Sequence, residues 1–386
     1  MKFLSYVIVA VLSFGLAVFF TDTGSGEIKG TLPDYVNEEP TKPSTSYTTY
    51  YDQLNSYQKS IYNAILNGIS KGAKSIEFKD VNYNDFKNNC YKASMAVEYD
   101  HPEYFWYTGG YSHTSYKYRF QENTTIEFEF LYYEYANAMF DFDEKAGRLN
   151  QEVKRVADLA RSYSSDDYER MLFVHDYLIE NAYYDMEWLE EYYKTSHNPS
   201  CEYIFSAYGC LVEGRTVCSG YAKAFQLILN ELGYDCIYVT GDAGEPHGWN
   251  CVYIEDEGYF VDVTWDDMDL EDEVPMYNYA FIDSEALGRN HTIDNDFTVP
   301  VCNADKYNFY KNRGYYIEKY DFSEAKAILT AQSGNDAAYI QFGSLEELGN
   351  AYYDLVYGAK YKLVKGLGSF DDFEYDEDQR TLTFIK

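Results

Sequence analysis

An amphipathic helix followed by three strand-like segments, over residues 218–264, constrains the fold of this chain more than any other sequence feature. Four apolar residues recur at the spacing of one helix face: Ala222, Phe225, Leu229 and Leu232. Gly233 then supplies a helix stop. Three strand-like segments follow, at residues 236–240, 247–254 and 259–264. The pattern predicts an α+β fold in which this helix packs on an antiparallel sheet.

This region also carries the residue types that thiol chemistry needs. Cys218 begins the helix, His247 opens the second strand-like segment, and Asp262 lies in the third. Free backbone N–H groups and the positive end of the helix dipole favour a thiolate at Cys218 and can stabilise an oxyanion. The small residues Ser219 and Gly220 are expected to let a substrate backbone approach the sulfur.

The loop between the last two segments decides whether His247 and Asp262 can meet. A two-residue loop at residues 255–256 would place Asp262 opposite Trp249 and diagonal to His247, within hydrogen-bond reach. A four-residue loop would place it opposite Cys251, too far from His247. The chemistry therefore favours the tighter turn, in which His247 accepts the thiol proton and Asp262 orients the imidazole.

Three segments resemble the bacterial transglutaminase-like superfamily, which shares a papain-like Cys-His-Asp core: residues 208–224 (YGCLVEGRTVCSGYAKA), 247–250 (HGWN) and 262–267 (DVTWDD). Two upstream segments are similar to those preceding the core in such proteins, namely residues 173–177 (FVHDY) and 100–106 (DHPEYFW). The resemblance implies a catalytic triad of Cys218, His247 and Asp262, with no metal and no cofactor. It also implies that Trp249 and Trp265 are structural aromatic residues beside the site.

The resemblance by itself does not specify a reaction. The predicted function is exported, thiol-dependent acyl transfer or hydrolysis at protein or cell-wall peptide amides. Members of the superfamily cross-link glutamine to lysine, deamidate, cleave peptide bonds or have lost activity. The active ones share attack of the cysteine on an amide carbonyl to form an acyl-thioester. The alternative is a catalytically silent cell-surface binding or scaffolding protein. An intact Cys-His-Asp set favours the enzyme, because a binding module does not need all three residues.

The charge of the chain restricts its partners. Asp and Glu number 64 against 31 Lys and Arg, for a net charge of −33. Such a field repels phosphate backbones, so nucleic acid is excluded as a predicted partner. It favours a cationic protein or peptide substrate, for example a lysine-rich one. The 45 tyrosines do not identify a ligand, because they suit core, surface and binding roles alike.

The first twenty residues differ from the polar remainder. Lys2 followed by the almost uninterrupted apolar residues 3–20 is the pattern of an export signal. Without a clear small-x-small cleavage site, a signal peptide and a retained N-terminal membrane anchor both stay open. Residues 21–50 are rich in Gly, Thr, Ser and Pro and are interpreted as a linker. The folded part is therefore expected outside the cell or at its surface.

Three folded units are predicted beyond the linker. Residues 51–145 form an N-terminal α/β unit, with a helix at 57–72 and strands within 93–106 and 115–133. Residues 146–300 form the catalytic domain, which includes a helix capped by Asp166. Residues 301–386 form a small C-terminal α/β unit, with a helix at 345–355 and a strand at 381–385.

Other polar clusters are interpreted as structural or solvated. The seven cysteines show no C-x-x-C pair, so no zinc site is predicted. The acidic residues 266–273 lack the ordered spacing of a calcium loop and are interpreted as solvated. Asp266 and Asp267 are expected to matter little for catalysis. Four histidines are interpreted as surface or structural residues: His101, His113, His197 and His291.

Overall fold

The structure, a computed structural model, describes residues 50–116, 124–132, 142–195, 203–267, 274–358, 360–368 and 370–386. The predicted export segment at residues 3–20 and nearly all of the predicted linker lie outside these ranges. Across the ranges that are described, no helix combines the length and the apolar character needed to cross a membrane.

The α-helices of the described ranges are α1 (Ser56–Ile69), α2 (Tyr83–Asp100), α3 (Phe142–Tyr163), α4 (Asp167–Asn181), α5 (Met186–Thr195), α6 (Cys218–Leu232), α7 (Val263–Asp266), α8 (Ser284–Leu287), α9 (Phe309–Arg313), α10 (Phe322–Ala331), α11 (Leu345–Tyr352) and α12 (Tyr361–Gly368). The strands are β1 (Ser75–Val81), β2 (Tyr107–Tyr116), β3 (Thr124–Tyr132), β4 (Tyr183–Tyr184), β5 (Arg215–Thr216), β6 (Cys236–Asp242), β7 (Pro246–Ile254), β8 (Glu257–Val261), β9 (Ala280–Ile282), β10 (Thr292–Ile293), β11 (Tyr316–Ile317), β12 (Ala337–Phe342), β13 (Asp372–Asp376) and β14 (Thr381–Ile385).

Helix α6 packs on the central sheet of the chain, whose strand order is β10-β6-β7-β8-β9. Neighbouring strands of this sheet are all antiparallel. The helix begins at Cys218 and ends before Gly233, which has a left-handed φ of 91° that favours glycine. The predicted helix on an antiparallel sheet is therefore confirmed.

The hairpin between β7 and β8 has the tight loop that the chemistry favoured. Ile254 pairs with Glu257, and Asn250 pairs with Val261, so the loop is two residues long. Its residues, Glu255 and Asp256, have φ values of 52° and 67°, which is the conformation of a type I′ hairpin turn. This turn carries the right-handed twist of the strands and fixes the register that brings Asp262 toward His247.

One predicted strand in the N-terminal unit is a helix. Residues 93–100 belong to α2, which Asn82 caps by accepting hydrogen bonds from Asn84 and Asp85 N–H. Phe86, Cys90, Ala93 and Val97 are buried along one helix face. The strand prediction was wrong because it weighed residue type above this helical spacing. The alternating residues 124–132 do form β3, whereas residues 117–123 lie outside the described ranges.

The N-terminal unit braces the helix that carries Cys218. The Lys223 ammonium on α6 lies 2.9 Å from the Glu98 carboxylate on α2, and both side chains are buried. The Gln226 side chain donates to the Tyr99 carbonyl at 3.0 Å. One apolar core is continuous through both regions. Since a buried ion pair is costly to break, these contacts hold α6 in a defined position.

The C-terminal unit has an apolar core of its own and contacts the catalytic region through β12, where Tyr339 packs on Tyr277, and through the hairpin between β13 and β14. Its sheet has the order β11-β12-β14-β13, and its core includes Leu348 and Leu382. At the turn between β13 and β14, Asp376 accepts from the Asn278 amide at 3.2 Å and Asp378 accepts from the Asn290 amide at 3.0 Å. The hairpin therefore contacts the residue positions just before β9 and just before β10.

Deleting residues 1–45 is expected to leave a cooperatively folding protein, because the composition of residues 21–50 predicts a linker and the first described residue, Tyr50, already belongs to the core. That side chain is 2% exposed, and its N–H donates to Asp100 at 3.0 Å. Extending the deletion through the buried Leu54 should lower the free energy of unfolding by about 3–5 kcal/mol or more. Urea denaturation of the two truncations measures this. Aggregation of the shorter truncation would contradict the linker interpretation.

Candidate active site

Cys218 is the first residue of α6, where backbone N–H groups have no partner within the helix. The preceding residue, Val217, is extended, gives no side-chain cap, and donates its N–H to the Ile204 carbonyl at 3.0 Å. Cys218 is partly exposed, whereas the residues that follow it are buried. The local structure thus presents a thiol beside a helix N-terminus, a position suited to a nucleophile and its oxyanion.

His247 and Asp262 form a buried pair beside this thiol. His247 Nε2 lies 2.7 Å from Asp262 Oδ2, and the His247 ring also interacts electrostatically with the Cys218 side chain. With Nε2 on the carboxylate, Nδ1 is the nitrogen left for the sulfur. His247 is 7% exposed and Asp262 is 1% exposed. The structure therefore brings together the three residues that the sequence singled out.

Asp262 does not lie within a strand as predicted. β8 ends at Val261, and Asp262 is the N-cap of the short helix α7. Its Oδ1 accepts from Thr264 N–H at 3.0 Å and from Trp265 N–H at 3.2 Å. The strand prediction was wrong here because an aspartate at this position satisfies the first N–H groups of a helical turn. This cap leaves Oδ2 free to face His247.

Burial and charge act in opposite directions on the pair. Burial disfavours the charged form of Asp262, but the charge and hydrogen bond of His247, with a hydrogen bond from His291, hold the pKa of Asp262 below its usual range. Burial likewise lowers the pKa of His247, but the charges of Asp262 and Cys218 outweigh it and raise that pKa well above its usual value. The site therefore favours transfer of the thiol proton to His247.

Ser219 and Gly220 pack against the chain itself rather than opening onto a substrate. The Ser219 hydroxyl donates to the Phe205 carbonyl at 3.3 Å, and Ser219 is 4% exposed. A Cβ added at Gly220 would lie 2.1 Å from Thr216 Oγ1 and 2.7 Å from the Ile204 carbonyl oxygen. The expected role in substrate approach is therefore corrected. These residues allow residues 204–206 to lie close to the first turn of α6.

Trp249 and Trp265 surround the histidine, as expected of structural aromatic residues. The Trp249 ring stacks on the His247 ring at 5.9 Å, and the Trp265 ring meets it edge-on at 6.1 Å. Trp249 is 1% exposed. Two large rings on either side restrict rotation of the imidazole, so they help to hold its Nδ1 toward the sulfur.

His291 is a part of the site that the sequence interpretation missed. Its Nε2 lies 3.2 Å from Asp262 Oδ2, and its side chain is completely buried. It follows α8 and precedes β10, so only the fold brings it to the triad. His291 is 29 residues from Asp262 in the sequence, so no helix or strand periodicity indicates that the two side chains meet.

A second buried pair supports the segment after Asp262. His175 on α4 lies 3.1 Å from Asp266 Oδ2, and both side chains are fully buried. Asp266 Oδ1 also accepts from Tyr279 N–H at 2.9 Å. Asp267 accepts from the Tyr221 hydroxyl on α6. The interpretation of this acidic segment as solvated is therefore wrong at Asp266. Residues 268–273 lie outside the described ranges.

The His175 pair is expected to make stability depend on pH. Burial disfavours the charged imidazole, but hydrogen bonds to Asp176 and Asp266 and their charges raise the pKa of His175 to about 9. Because the unfolded pKa of His175 is about 6.5, its contribution is lost as the pH rises from about 6.5 through about 9. Burial raises the pKa of its partner Asp266 to about 7, so the loss of stability over this range belongs to the pair. The wild type should lose up to about 3 kcal/mol of unfolding free energy from this group.

Urea denaturation at several pH values between 6 and 10 measures this contribution. The His175→Gln variant should lack the loss, whereas His113→Gln, a half-buried histidine of the N-terminal sheet, should retain it. If the free energy of unfolding of His175→Gln depended on pH as that of the wild type does, the His175 pair would not be the cause of the loss.

The comparisons with known proteins concern the region that holds this site. Residues 154–265 match the family model described as the transglutaminase-like superfamily. In an alignment 123 residues long that covers 28% of this chain, the sequence is 29% identical to the kyphoscoliosis peptidase of Mus musculus. The match spans 17% of the mouse protein.

Two solved structures are also similar in part. A TGase aligns with a TM-score of 0.30 and 15% identity, covering 49% of this chain and 50% of the other. A protein from Cytophaga hutchinsonii, described as a candidate cysteine protease, aligns with a TM-score of 0.23 and 18% identity, covering 39% of this chain and 61% of the other. Residues 154–265, which match the transglutaminase-like superfamily model, include Cys218, His247 and Asp262.

Proposed function

We propose that this protein is a thiol-dependent acyltransferase or hydrolase acting on amides through an acyl-thioester at Cys218. One observation carries the proposal. A partly exposed thiol at a helix N-terminus interacts electrostatically with His247, whose Nε2 lies 2.7 Å from a buried carboxylate. A nucleophile, a base and an orienting group in this order meet the requirements of covalent catalysis.

The first half-reaction forms the thioester. The Cys218 sulfur attacks the amide carbonyl carbon while its proton passes to His247 Nδ1, and Asp262 stabilises the resulting imidazolium. The carbonyl oxygen becomes an oxyanion beside the backbone N–H groups at the start of α6. The C–N bond then breaks as His247 returns the proton to the departing nitrogen. Ammonia or an amine leaves, and the acyl group remains on the sulfur.

The second half-reaction decides between transfer and hydrolysis. His247 deprotonates either a primary amine or a water molecule, which attacks the thioester carbonyl carbon. The C–S bond breaks, and the sulfur recovers its proton from the imidazolium. An amine gives a new amide, as in cross-linking, whereas water gives a carboxylic acid, as in deamidation or peptide cleavage. The peptidase name of the mouse relative favours including peptide cleavage among the outcomes.

We propose a cationic protein or peptide substrate, for example a lysine-rich one or a cell-wall peptide. The net charge of −33 attracts cations at long range. Trp188 of α5 packs against an apolar cluster that includes Val217, the residue immediately before the nucleophile. The same helix carries three glutamates, Glu187, Glu190 and Glu191. Lysine side chains could serve as the amines that resolve the thioester.

We also propose that the protein acts outside the cell or at its surface. Lys2 and the apolar residues 3–20 form the pattern of an export signal or an N-terminal anchor. Fractionation of the source cells, with detection of the intact chain and of its N-terminus, tests this placement. Recovery of the protein with residues 3–20 intact in the cytoplasmic fraction would contradict it.

Product analysis with a glutamine peptide and a fluorescent primary amine tests the reaction. Cross-linking predicts the amine coupled to the peptide with release of ammonia. Deamidation predicts glutamate at the same position, and peptidase activity predicts shorter peptides. A panel of lysine-rich and cell-wall peptides extends the search to the acyl donor. Absence of every product, with Cys218 no more reactive than a buried thiol, would favour a silent binding protein.

A further inference from the structure

We propose that His291 is a positioning residue, which fixes the Asp262 carboxylate and through it the orientation of His247. The inference rests on the proposed function, since it assigns a role within the same triad. It adds a second imidazole, which contacts the same carboxylate oxygen as His247. The site would then consist of four interacting side chains, Cys218, His247, Asp262 and His291.

The Asp262 carboxylate has partners on both of its oxygens. Oδ1 accepts from two backbone N–H groups of α7, at 3.0 and 3.2 Å. Oδ2 faces His247 Nε2 at 2.7 Å and His291 Nε2 at 3.2 Å. The backbone bonds fix one oxygen, but the plane of the carboxylate also depends on what holds the other. His291 therefore restricts the direction from which Oδ2 meets His247.

His291 is itself held in a defined orientation. Its Nδ1 lies 2.6 Å from Asn290 Oδ1. The Asn290 amide nitrogen donates to the Tyr279 hydroxyl at 2.6 Å and to the Asp378 carboxylate at 3.0 Å. Because a carboxylate only accepts, these bonds set the amide so that its oxygen faces His291. Both ring nitrogens of His291 thus face acceptor oxygens.

Aromatic packing prevents the His291 ring from moving away. Its centroid lies 4.7 Å from the Trp265 ring and 5.0 Å from the Trp249 ring. The same two tryptophans contact His247. The two tryptophan rings therefore contact both imidazoles. The hairpin between β13 and β14 holds Asn290 through Asp378, and Asn290 in turn holds His291.

A metal ion is the other way to use these residues. The donor atoms of His247, Asp262 and His291 lie within 4.8 Å of one another. However, two ligands of one tetrahedral zinc ion lie about 3.3 Å apart when the metal–ligand bonds are about 2.0 Å. The 2.7 Å separation of His247 Nε2 and Asp262 Oδ2 is too short for that arrangement and fits a hydrogen bond. The geometry therefore favours hydrogen bonding among these three side chains over a metal site.

The rate at which iodoacetamide alkylates Cys218, measured by peptide mass spectrometry, tests the inference without needing a substrate. His291→Ala should slow alkylation about tenfold, since the base loses its orientation. His291→Gln should stay within about threefold of the wild type, because its amide keeps an N–H donor for Asp262. His113→Ala, in the N-terminal sheet, is the matched control and should leave the rate unchanged. Thermal melts show that each variant is folded.

A double-mutant cycle separates positioning from general structural damage. If His291 acts through Asp262, adding His291→Ala to Asp262→Ala should change the alkylation rate by less than about twofold. A full tenfold drop in that background, equal rates for the Ala and Gln variants, or no effect of folded His291→Ala would overturn the inference. A changed wild-type rate on adding EDTA would show a bound metal and would also overturn it. Slow alkylation of wild-type Cys218, no faster than buried Cys302, would instead refute the proposed function.

Discussion

Replacing Cys218 by alanine is expected to lower amide turnover by at least about four orders of magnitude, because no other group in the site can form the thioester. The fold should persist. Cys218 is partly exposed at the first turn of α6, where it contributes little to packing. The free energy of unfolding should therefore change by less than about 1 kcal/mol. Turnover of whichever peptide the product analysis identifies, with urea denaturation of both proteins, measures the two effects.

A buried cysteine supplies the matched control. Cys302 is 1% exposed, and its sulfur lies 3.7 Å from that of Cys251. Cys302→Ala should retain turnover and lose about 1–2 kcal/mol of unfolding free energy, because it removes buried volume. The opposite pattern, with activity lost in the Cys302 variant and kept in Cys218→Ala, would show that the reactive thiol lies elsewhere.

Asp262→Asn is expected to lower turnover by roughly 10–1000-fold while preserving the fold. Asparagine can keep the helix cap through its own Oδ1. Its amide N–H would face His247 Nε2 in place of a carboxylate, which favours the wrong tautomer and removes the charge that stabilises the imidazolium. The loss should be smaller than in a serine triad, since a thiol ionises more readily than a hydroxyl.

The neighbouring aspartates test whether this loss is specific. Asp267→Asn removes a carboxylate that accepts from the Tyr221 hydroxyl and should reduce turnover far less than Asp262→Asn. Asp266 is not a silent control, because it is fully buried against His175. Asp266→Asn should instead lower the free energy of unfolding by about 3 kcal/mol, because the buried His175 loses its carboxylate partner. Equal turnover losses in the Asp262 and Asp267 variants would contradict the assignment of Asp262.

Local spacing was enough to predict the elements that carry the nucleophile and the base. The period of Ala222, Phe225 and Leu229 predicts α6, and Gly233 marks its end. The loop of two residues followed from chemistry, because only that register lets Asp262 approach His247. Local and functional constraints agree over this stretch, which is why the sequence was informative there.

Two elements were predicted wrongly because residue type favoured a strand where helical spacing or a helix cap favoured a helix. In α2, β-branched and aromatic residues suggested a strand, although Ala93 and Val97 lie on one buried helix face. After Val261, the same kind of residues suggested that the strand continued, but the capping bonds of Asp262 start a helical turn. Capping geometry and tertiary packing decide such cases, and neither can be read from residue type alone.

His291 and His175 could not be assigned from the sequence because their partners come from distant segments. His291 lies beyond α8, and α4 brings His175 to Asp266 across 91 residues. A lone histidine in an apolar context is usually structural, and no periodic pattern distinguishes these two. Only the fold of the central sheet and its flanking helices shows which carboxylate each imidazole contacts.

Detection of an acyl-enzyme at Cys218 tests the central claim most directly. The wild type would be mixed with an amide peptide, quenched in acid, and analysed by intact mass and peptide mapping. We expect an adduct equal to the peptide minus its leaving amine, located on the fragment that contains Cys218, removed by hydroxylamine and absent from Cys218→Ala. An adduct on another residue, or turnover that continues undiminished in Cys218→Ala, would contradict the account.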